Sequence, residues 1–351
     1  MEARVIGGGI GGLAAAVGLT RTGWQVTVDE RATALSDDGT GLGMWPQAVA
    51  ALGQLGLADE LRRRGAPQEP GSILRPDGRR LVTVDTERLR RRTGETVYVV
   101  PRPQLLTLLF EALPEGTVRF GRPGPDPLEC DADVVVGADG AHSAVRTRLF
   151  GPTYALRPTG YTVWRGVAAT GVEQAGEVWG PAAKFGYSPL RNGRTNFYAV
   201  LPTPTERRSP DVEWELLWHR FGRWAEPVPS VLRSADPARA LRHSLTHLAP
   251  ALPRYVTGRT ALLGDAAHTM TPDLGQGACQ ALLDGLVLAR CLANVSSRAE
   301  VPAALADYDR LRRRPTQRIA AASRWLGRLS VLRHGTGVRD AVVTAAGKLV
   351  E

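Results

Sequence analysis

Gly7, Gly9 and Gly12 stand in the spacing G-x-G-x-x-G within Gly7-Gly8-Gly9-Ile10-Gly11-Gly12. The first glycine of such a run permits a tight turn. The second lets the backbone approach a pyrophosphate, and the third lets a helix pack closely on a strand. A helix that opens there offers free N–H groups and the positive end of its dipole to phosphate oxygens. Glu30 lies 23 positions after Gly7, near the roughly 20-residue spacing at which an acid binds a ribose hydroxyl. Asp29 competes for that role, and the alternation of Val26 and Val28 favours Glu30 only weakly. An acid in this place needs a free 2′-hydroxyl, so the slot suits NAD or FAD rather than NADP.

Two later clusters have the same kind of content. Asp139 and Gly140 sit in Gly137-Ala138-Asp139-Gly140-Ala141-His142-Ser143-Ala144-Val145-Arg146. Ser143 is placed to cap a short helix with Val145 and Leu149 on one face. Arg146 reads equally well as a phosphate contact or as a cation on the helix surface. Asp265, in Gly264-Asp265-Ala266-Ala267-His268, follows a strand at its carboxyl end, where ligands of open α/β sheets bind. Its carboxylate is placed to accept hydrogen bonds from hydroxyl groups. Gly275, Gln276 and Gly277 precede a helix. Bare glycine backbone lets a flat ring come close, and the helix start favours negative charge by about 0.3–1 kcal/mol.

These residues need a scaffold, and the pattern supplies one. Residues 3–6 read as a strand, 7–12 as a loop, 13–21 as a helix closed by Gly23, and 24–28 as a second strand. The unbroken valines of 133–137 predict a strand buried on both faces, as in a parallel sheet. Residues 260–265 predict another strand, leading into a helix with its apolar stripe at 278, 281, 282, 285, 286, 289 and 292. The texture changes over 153–255, where apolar and polar residues alternate. Asn192-Gly193 there predicts a type I′ hairpin, since both turn residues need positive φ. Pro76-Asp77-Gly78 marks a similar turn. Residues 303–332 read as Arg-rich amphipathic helices.

Composition bounds the rest. The 351 residues, 43% hydrophobic and 23% charged, are ordinary for a globular chain of about two domains. Cys130, Cys279 and Cys291 are too scattered for a disulfide framework or a CxxC zinc site, so a cytoplasmic setting is expected. The net charge is +9, but Lys184 and Lys348 are the only lysines and the remaining cations are arginine. The basic runs at 62–64, 90–92 and 312–314 read as solvated helix faces rather than a nucleic-acid stripe. Residues 5–19 contain too many glycines for a signal-peptide core. No run of some 18 apolar residues predicts a membrane span.

The three clusters, in this order, resemble the class A flavoprotein monooxygenases, the p-hydroxybenzoate hydroxylase-like aromatic hydroxylases. Tyr161-Thr162-Val163-Trp164-Arg165-Gly166 and Gly180-Pro181-Ala182-Ala183-Lys184-Phe185 are most similar to the branch of salicylate and urate hydroxylases and zeaxanthin-type epoxidases. The resemblance spans nearly the whole chain. It implies an α/β fold: a Rossmann-like FAD-binding domain (1–70, 96–152 and 256–310), an inserted, mostly antiparallel β-sheet substrate domain (71–95 and 153–255) and a C-terminal helical segment (311–351). It implies non-covalent FAD held by Gly7, Gly9, Gly12, Glu30, Arg31, Arg102, Asp139, Gly140, Asp265, Gly275, Gln276 and Gly277, with Pro272 beside the flavin and Lys184 facing the substrate. NADPH or NADH is the implied reductant. O₂, carried as a flavin C4a-hydroperoxide, is delivered to an electron-rich aromatic small molecule. No nucleic acid, membrane span or separate reductase is expected. An epoxidase of an alkene, or a reductase or non-redox cyclase on the same scaffold, is the alternative. Two departures stand out. The stretch from Arg102 to Asp139 is short by about one hairpin, with Gly124-Pro125-Asp126-Pro127 as a loop in its place. Cys279 and Leu283 replace residues that are often Asn and an acid.

Overall fold

Alternating strands and helices over the first thirty residues begin an open parallel sheet. The computed structural model describes residues 1–203 and 209–350, with backbone alone for 346–350. Its six-stranded sheet runs, in order, Val256–Thr257, Thr260–Leu262, Val134–Gly137, Glu2–Ile6, Gln25–Glu30 and Val118–Phe120. All neighbours are parallel except the first pair. Val134, Val135 and Val136 are buried, as an unbroken valine run requires when both faces of a strand are covered.

The first helix is longer than its pattern indicates. It spans Ile10–Arg21, so Gly11 and Gly12 lie inside it rather than in the loop. Close approach is the reason: a Cβ on Gly12 would fall 2.0 Å from the carbonyl oxygen of Gly7. The helix Gly277–Leu292 packs on it equally closely, and a Cβ on Gly285 would meet the Ala15 nitrogen at 2.6 Å.

A second sheet of seven strands runs Leu241–Ala249, Ala155–Ala168, Thr195–Pro202, Ala183–Pro189, Gly176–Gly180, Gly71–Leu74 and Arg80–Val84. It is antiparallel except between Gly176–Gly180 and Gly71–Leu74. One face is apolar. Trp164, Phe185 and Phe197 pack there against the helices Pro210–Phe221 and Val228–Arg233, so these aromatics are plain core. Cross-strand pairs place Arg165 beside Tyr198, Lys184 beside Val200, and Glu177 and Tyr198 on either side of Gly186. The opposite face therefore carries Arg165, Glu177, Lys184 and Tyr198. The three-stranded sheet of Gly41–Met44, Tyr98–Pro101 and Ala66–Pro67 is tied to this region by the Gly41 N–H, which donates to Asn196 Oδ1 at 2.7 Å.

Three local expectations are corrected. At the hairpin tip only Gly193 has positive φ (72°). The Gly193 N–H donates to Leu190 O and the Leu190 N–H to Arg194 O, a type I turn closed by a left-handed glycine instead of type I′. Pro76-Asp77-Gly78 does the same, with Gly78 at φ 85°. Residues 303–332 are not several helices. One helix, Val301–Ser330, runs through Pro315 and straight across position 310. After Val118–Phe120 the chain forms no further strand before Val134, so that short strand is the sheet's outer edge.

Candidate functional site

The cleft begins where Glu2–Ile6 ends. The helix Ile10–Arg21 has Gly9 at its N-cap and no side-chain hydrogen bond there. A Cβ on Gly9 would meet nothing within 4 Å, so the helix start opens onto free space. Glu30 lies across the loop. Its Oε2 accepts from the Gly8 N–H at 2.6 Å and its Oε1 from the Ala32 N–H at 2.8 Å. Asp29 is withdrawn from this role: it is buried and paired with Arg4 at 3.1 Å. Arg31 is exposed. Arg102 opens the helix Arg102–Glu111. Burial pulls its pKa down, against the opposing pull of Asp38, Glu30 and Asp265. One guanidinium thus lies among the acids of both ends of the cleft.

The middle cluster is more structural than its motif implies. Asp139 Oδ1 accepts from the Ser143 hydroxyl at 2.5 Å, and its Oδ2 accepts from the Val145 N–H at 3.1 Å. Ser143 Oγ in turn accepts from the Arg146 N–H at 2.8 Å, the cap that its position predicts. Both Asp139 oxygens therefore serve the start of the helix Ala144–Phe150. Gly140, at φ 80° with open space beside it, is the part of this motif free to meet a ligand. Neither expectation for Arg146 holds. It is buried and donates to the carbonyls of Tyr154, Ala266 and Ala141, clamping three segments together.

The far wall of the cleft is built by the third cluster. The Asp265 side chain is open to the cleft and accepts no hydrogen bond from the described residues. Loss of hydration at the cleft floor holds its pKa above the usual carboxylate range, although His268, Arg146, Arg165 and Arg102 pull it down. Pro272 is exposed in the tight turn Pro272–Leu274, and Gly275 follows with φ 60°. Gln276 is the N-cap of the helix Gly277–Leu292 but gives it no side-chain cap. Its Oε1 is taken by Gln47 and Gln280. A Cβ on Gly277 would meet nothing within 4 Å. Two uncapped helix starts and an unbonded carboxylate between them fit a long anionic cofactor with hydroxyl groups midway, which is the chemistry of FAD. Cys279 is no nucleophile, because burial pushes its thiol pKa up to about 11.

Lys184 does not offer the free ammonium expected of it. It is buried, and its Nζ lies 2.7 Å from both Glu177 Oε1 and Asp273 Oδ1. Burial alone would lower its pKa, but the two carboxylates outweigh that and raise it. The pair to Asp273 joins the seven-stranded sheet to the turn containing Pro272. Removing one partner of a buried pair costs about 3–5 kcal/mol. Lys184→Met should therefore lower stability by about 3 kcal/mol, read by denaturant unfolding, with FAD content per chain unchanged. A variant as stable as the wild type would show that the pair contributes nothing. The stability owed to Lys184 is complete below the ordinary lysine range and is lost as pH rises through its raised value.

The sequence reading passed over Asp284, Asp273 and Arg165. Asp284 is the one acid of the helix Gly277–Leu292, whose other charged residue is Arg290 in its last turn, and that isolation is the available signal. It is fully buried and binds the Gly264 N–H at 2.9 Å, His268 Nε2 at 2.6 Å and Arg312 Nε at 2.6 Å. Asp284 therefore sets the strand end that presents Asp265.

An open parallel sheet with a cofactor cleft at its strand ends, facing the polar side of a second sheet, defines a two-domain flavoprotein. The chain belongs to the FAD-binding domain family of class A flavin monooxygenases: that family matches residues 1–122 and 112–323. It is 36% identical over 347 residues to an aurachin C monooxygenase/isomerase of Stigmatella aurantiaca, covering 93% of this chain and 88% of that one. It is 31% identical to an FAD-dependent urate hydroxylase of Klebsiella pneumoniae, covering 88% and 85%. Among solved structures, Klebsiella pneumoniae HpxO complexed with FAD and uric acid superposes with a TM-score of 0.88 at 27% identity, covering 99% and 93%. Among the described residues no helix is long and apolar enough to cross a membrane.

Proposed function

We propose that this chain is a single-component monooxygenase that hydroxylates an electron-rich aromatic small molecule, using O₂ and either NADH or NADPH. The observation that carries this reading is the pair of uncapped, open helix starts with the unbonded Asp265 carboxylate, set opposite the polar face of the second sheet. Bound FAD, once reduced, would supply the oxygen chemistry. Gly7, Gly9 and Gly12 with the start of Ile10–Arg21 would hold its pyrophosphate, with Gly140 beside it. Glu30 would take the adenosine ribose, with Arg31 and Arg102 at the rim. Asp265 would accept the ribityl hydroxyls, and Gly275, Gln276 and Gly277 would admit the ring. The helix dipole at Gly277 favours negative charge on the ring edge nearest it. Pro272 would stand beside the ring where it meets the substrate, and the second sheet would cover that meeting. The relatives' names, a urate hydroxylase among them, support an aromatic substrate.

The test is oxygen consumption and NAD(P)H oxidation by the purified chain against a panel of aromatic acids, phenols and neutral alkenes, with labelled O₂. Substrate-stimulated oxidation with one labelled oxygen atom in a ring hydroxyl is the expected result. Label in an epoxide would move the reading to the alkene alternative. Turnover without oxygen uptake would move it to the reductase or cyclase.

A further inference from the structure

Arg165 lies toward the carboxyl end of the long strand Ala155–Ala168, on the sheet face turned to the cleft. It makes no hydrogen bond or ion pair with the described residues. Its surroundings are nonetheless well defined. Tyr198 is its cross-strand partner on one side and Leu241 on the other, with His243 opposite Val163 one step along. Asp265 and Asp273 act on it from across the cleft. Asp265 is the carboxylate proposed above for the cofactor hydroxyls and makes no ion pair with Arg165, and the other polar neighbours have another commitment or another direction. Asp273 is held by Lys184 at 2.7 Å. The Tyr198 ring lies over Gly186, where a Cβ would fall 2.1 Å from it, and its hydroxyl is turned to Glu177. His243 is held toward its neutral form by burial and then by Arg165 itself, so it offers no counter-charge.

A guanidinium keeps its charge and all five donors at any ordinary pH. Half-buried and without a partner among the described residues, it has those donors to give to an anion that enters the cleft. The fork geometry suits two oxygens, or one oxygen and a neighbouring acceptor, on a planar group. We propose that Arg165, not Lys184, is the specificity-determining cation of the site, and that it takes the ionised oxygen of a planar aromatic substrate. This rests on the reading of the cleft as an aromatic monooxygenase site. The same contact would keep a phenol ionised, since an opposite charge within about 4–6 Å lowers its pKa, and an ionised oxygen makes the ring electron-rich.

The test uses binding, so it does not depend on turnover. FAD-loaded wild type, Arg165→Gln, Arg165→Lys and Lys184→Met are titrated with two matched pairs, 2-naphthoate against 2-naphthamide and 4-nitrophenolate against 4-nitroanisole. Perturbation of the flavin spectrum is the readout. In the wild type each anion should bind about tenfold or more tightly than its neutral partner. Arg165→Gln should abolish that preference with FAD content unchanged, Arg165→Lys should keep part of it, and Lys184→Met should keep it all. Anions that bind no better than their partners, no response to any of the four probes, or a preference that survives Arg165→Gln would overturn the proposal. So would loss of FAD in Arg165→Gln, which would assign the guanidinium to the cofactor. If binding behaves as expected but no substrate is oxygenated, the anion site stands and the monooxygenase reading fails.

Discussion

Asp265→Ala should fold and purify nearly colourless. In the wild type the carboxylate sits at the cleft floor without a hydrogen bond from the described residues, and burial holds its pKa up. Ribityl hydroxyls donating to it would relieve that cost. Each hydrogen bond to a charged acceptor contributes about 1.5–3 kcal/mol. Losing two removes at least about 3 kcal/mol, or more than a hundredfold in FAD affinity. The chain without cofactor should be about as stable as the wild type, since the Asp265 side chain is open to the cleft and bonds none of the described residues. Asp265→Asn, which still accepts hydrogen bonds, should fall between the two. Acid should mimic the alanine. A raised carboxylate pKa means that the group takes up a proton early as pH falls, and a protonated acid is a poorer acceptor for hydroxyls. FAD retention should therefore weaken as pH drops through that raised value, and free-flavin fluorescence during an acid titration measures it. An Asp265→Ala protein that keeps its full complement of FAD would remove Asp265 from the cofactor site.

What could be read from the chain beforehand divides along physical lines. Gly7, Gly9, Gly12 and Glu30 lie within one strand–helix–strand unit, so their spacing along the chain is nearly their spacing in space. Asp265 and Gly275 are legible for the same reason. Lys184 is different. Its partners Glu177 and Asp273 come from a neighbouring strand and from a turn 89 residues away, so no local pattern shows that its charge is matched. Arg146 is misread in the same way: its three carbonyl partners lie on separate segments. The hairpin at Asn192-Gly193 shows a local limit instead. The dipeptide suits two turn types, and the register of Ala183–Pro189 against Thr195–Pro202 selects the one with a single left-handed residue. Arg165 stood in plain view within Tyr161–Gly166. Only the pairing of its strand shows that it faces the cleft with no partner.

The buried cluster behind the cleft carries the largest expected effect on stability. Asp284 holds Arg312 through Oδ1 and both His268 and the Gly264 N–H through Oδ2, and Arg312 Nη2 also reaches Gln280 Oε1 at 2.7 Å. Asp284→Ala would leave a buried guanidinium with one neutral acceptor side chain and a buried N–H without its partner. Breaking a buried pair in this way costs about 3–5 kcal/mol, and the orphaned N–H adds to it. A Tm lower by roughly 10 °C is expected, with weaker FAD binding because Gly264 no longer fixes the strand end before Asp265. The pH dependence has a definite sign. Burial would raise the pKa of Asp284, but His268 and Arg312, with the hydrogen bonds from His268 and Gly264, outweigh it and lower it. A carboxylate with a lowered folded-state pKa contributes its full stability above the unfolded value of about 3.9. It loses that stability as pH falls from there through the folded value. The wild type should therefore lose stability steeply below about pH 4, and Asp284→Ala should lack that limb while being weaker at neutral pH. Unfolding curves of the two proteins from neutral to acid pH decide it. Parallel acid limbs would mean that Asp284 is not the group whose protonation loosens this cluster.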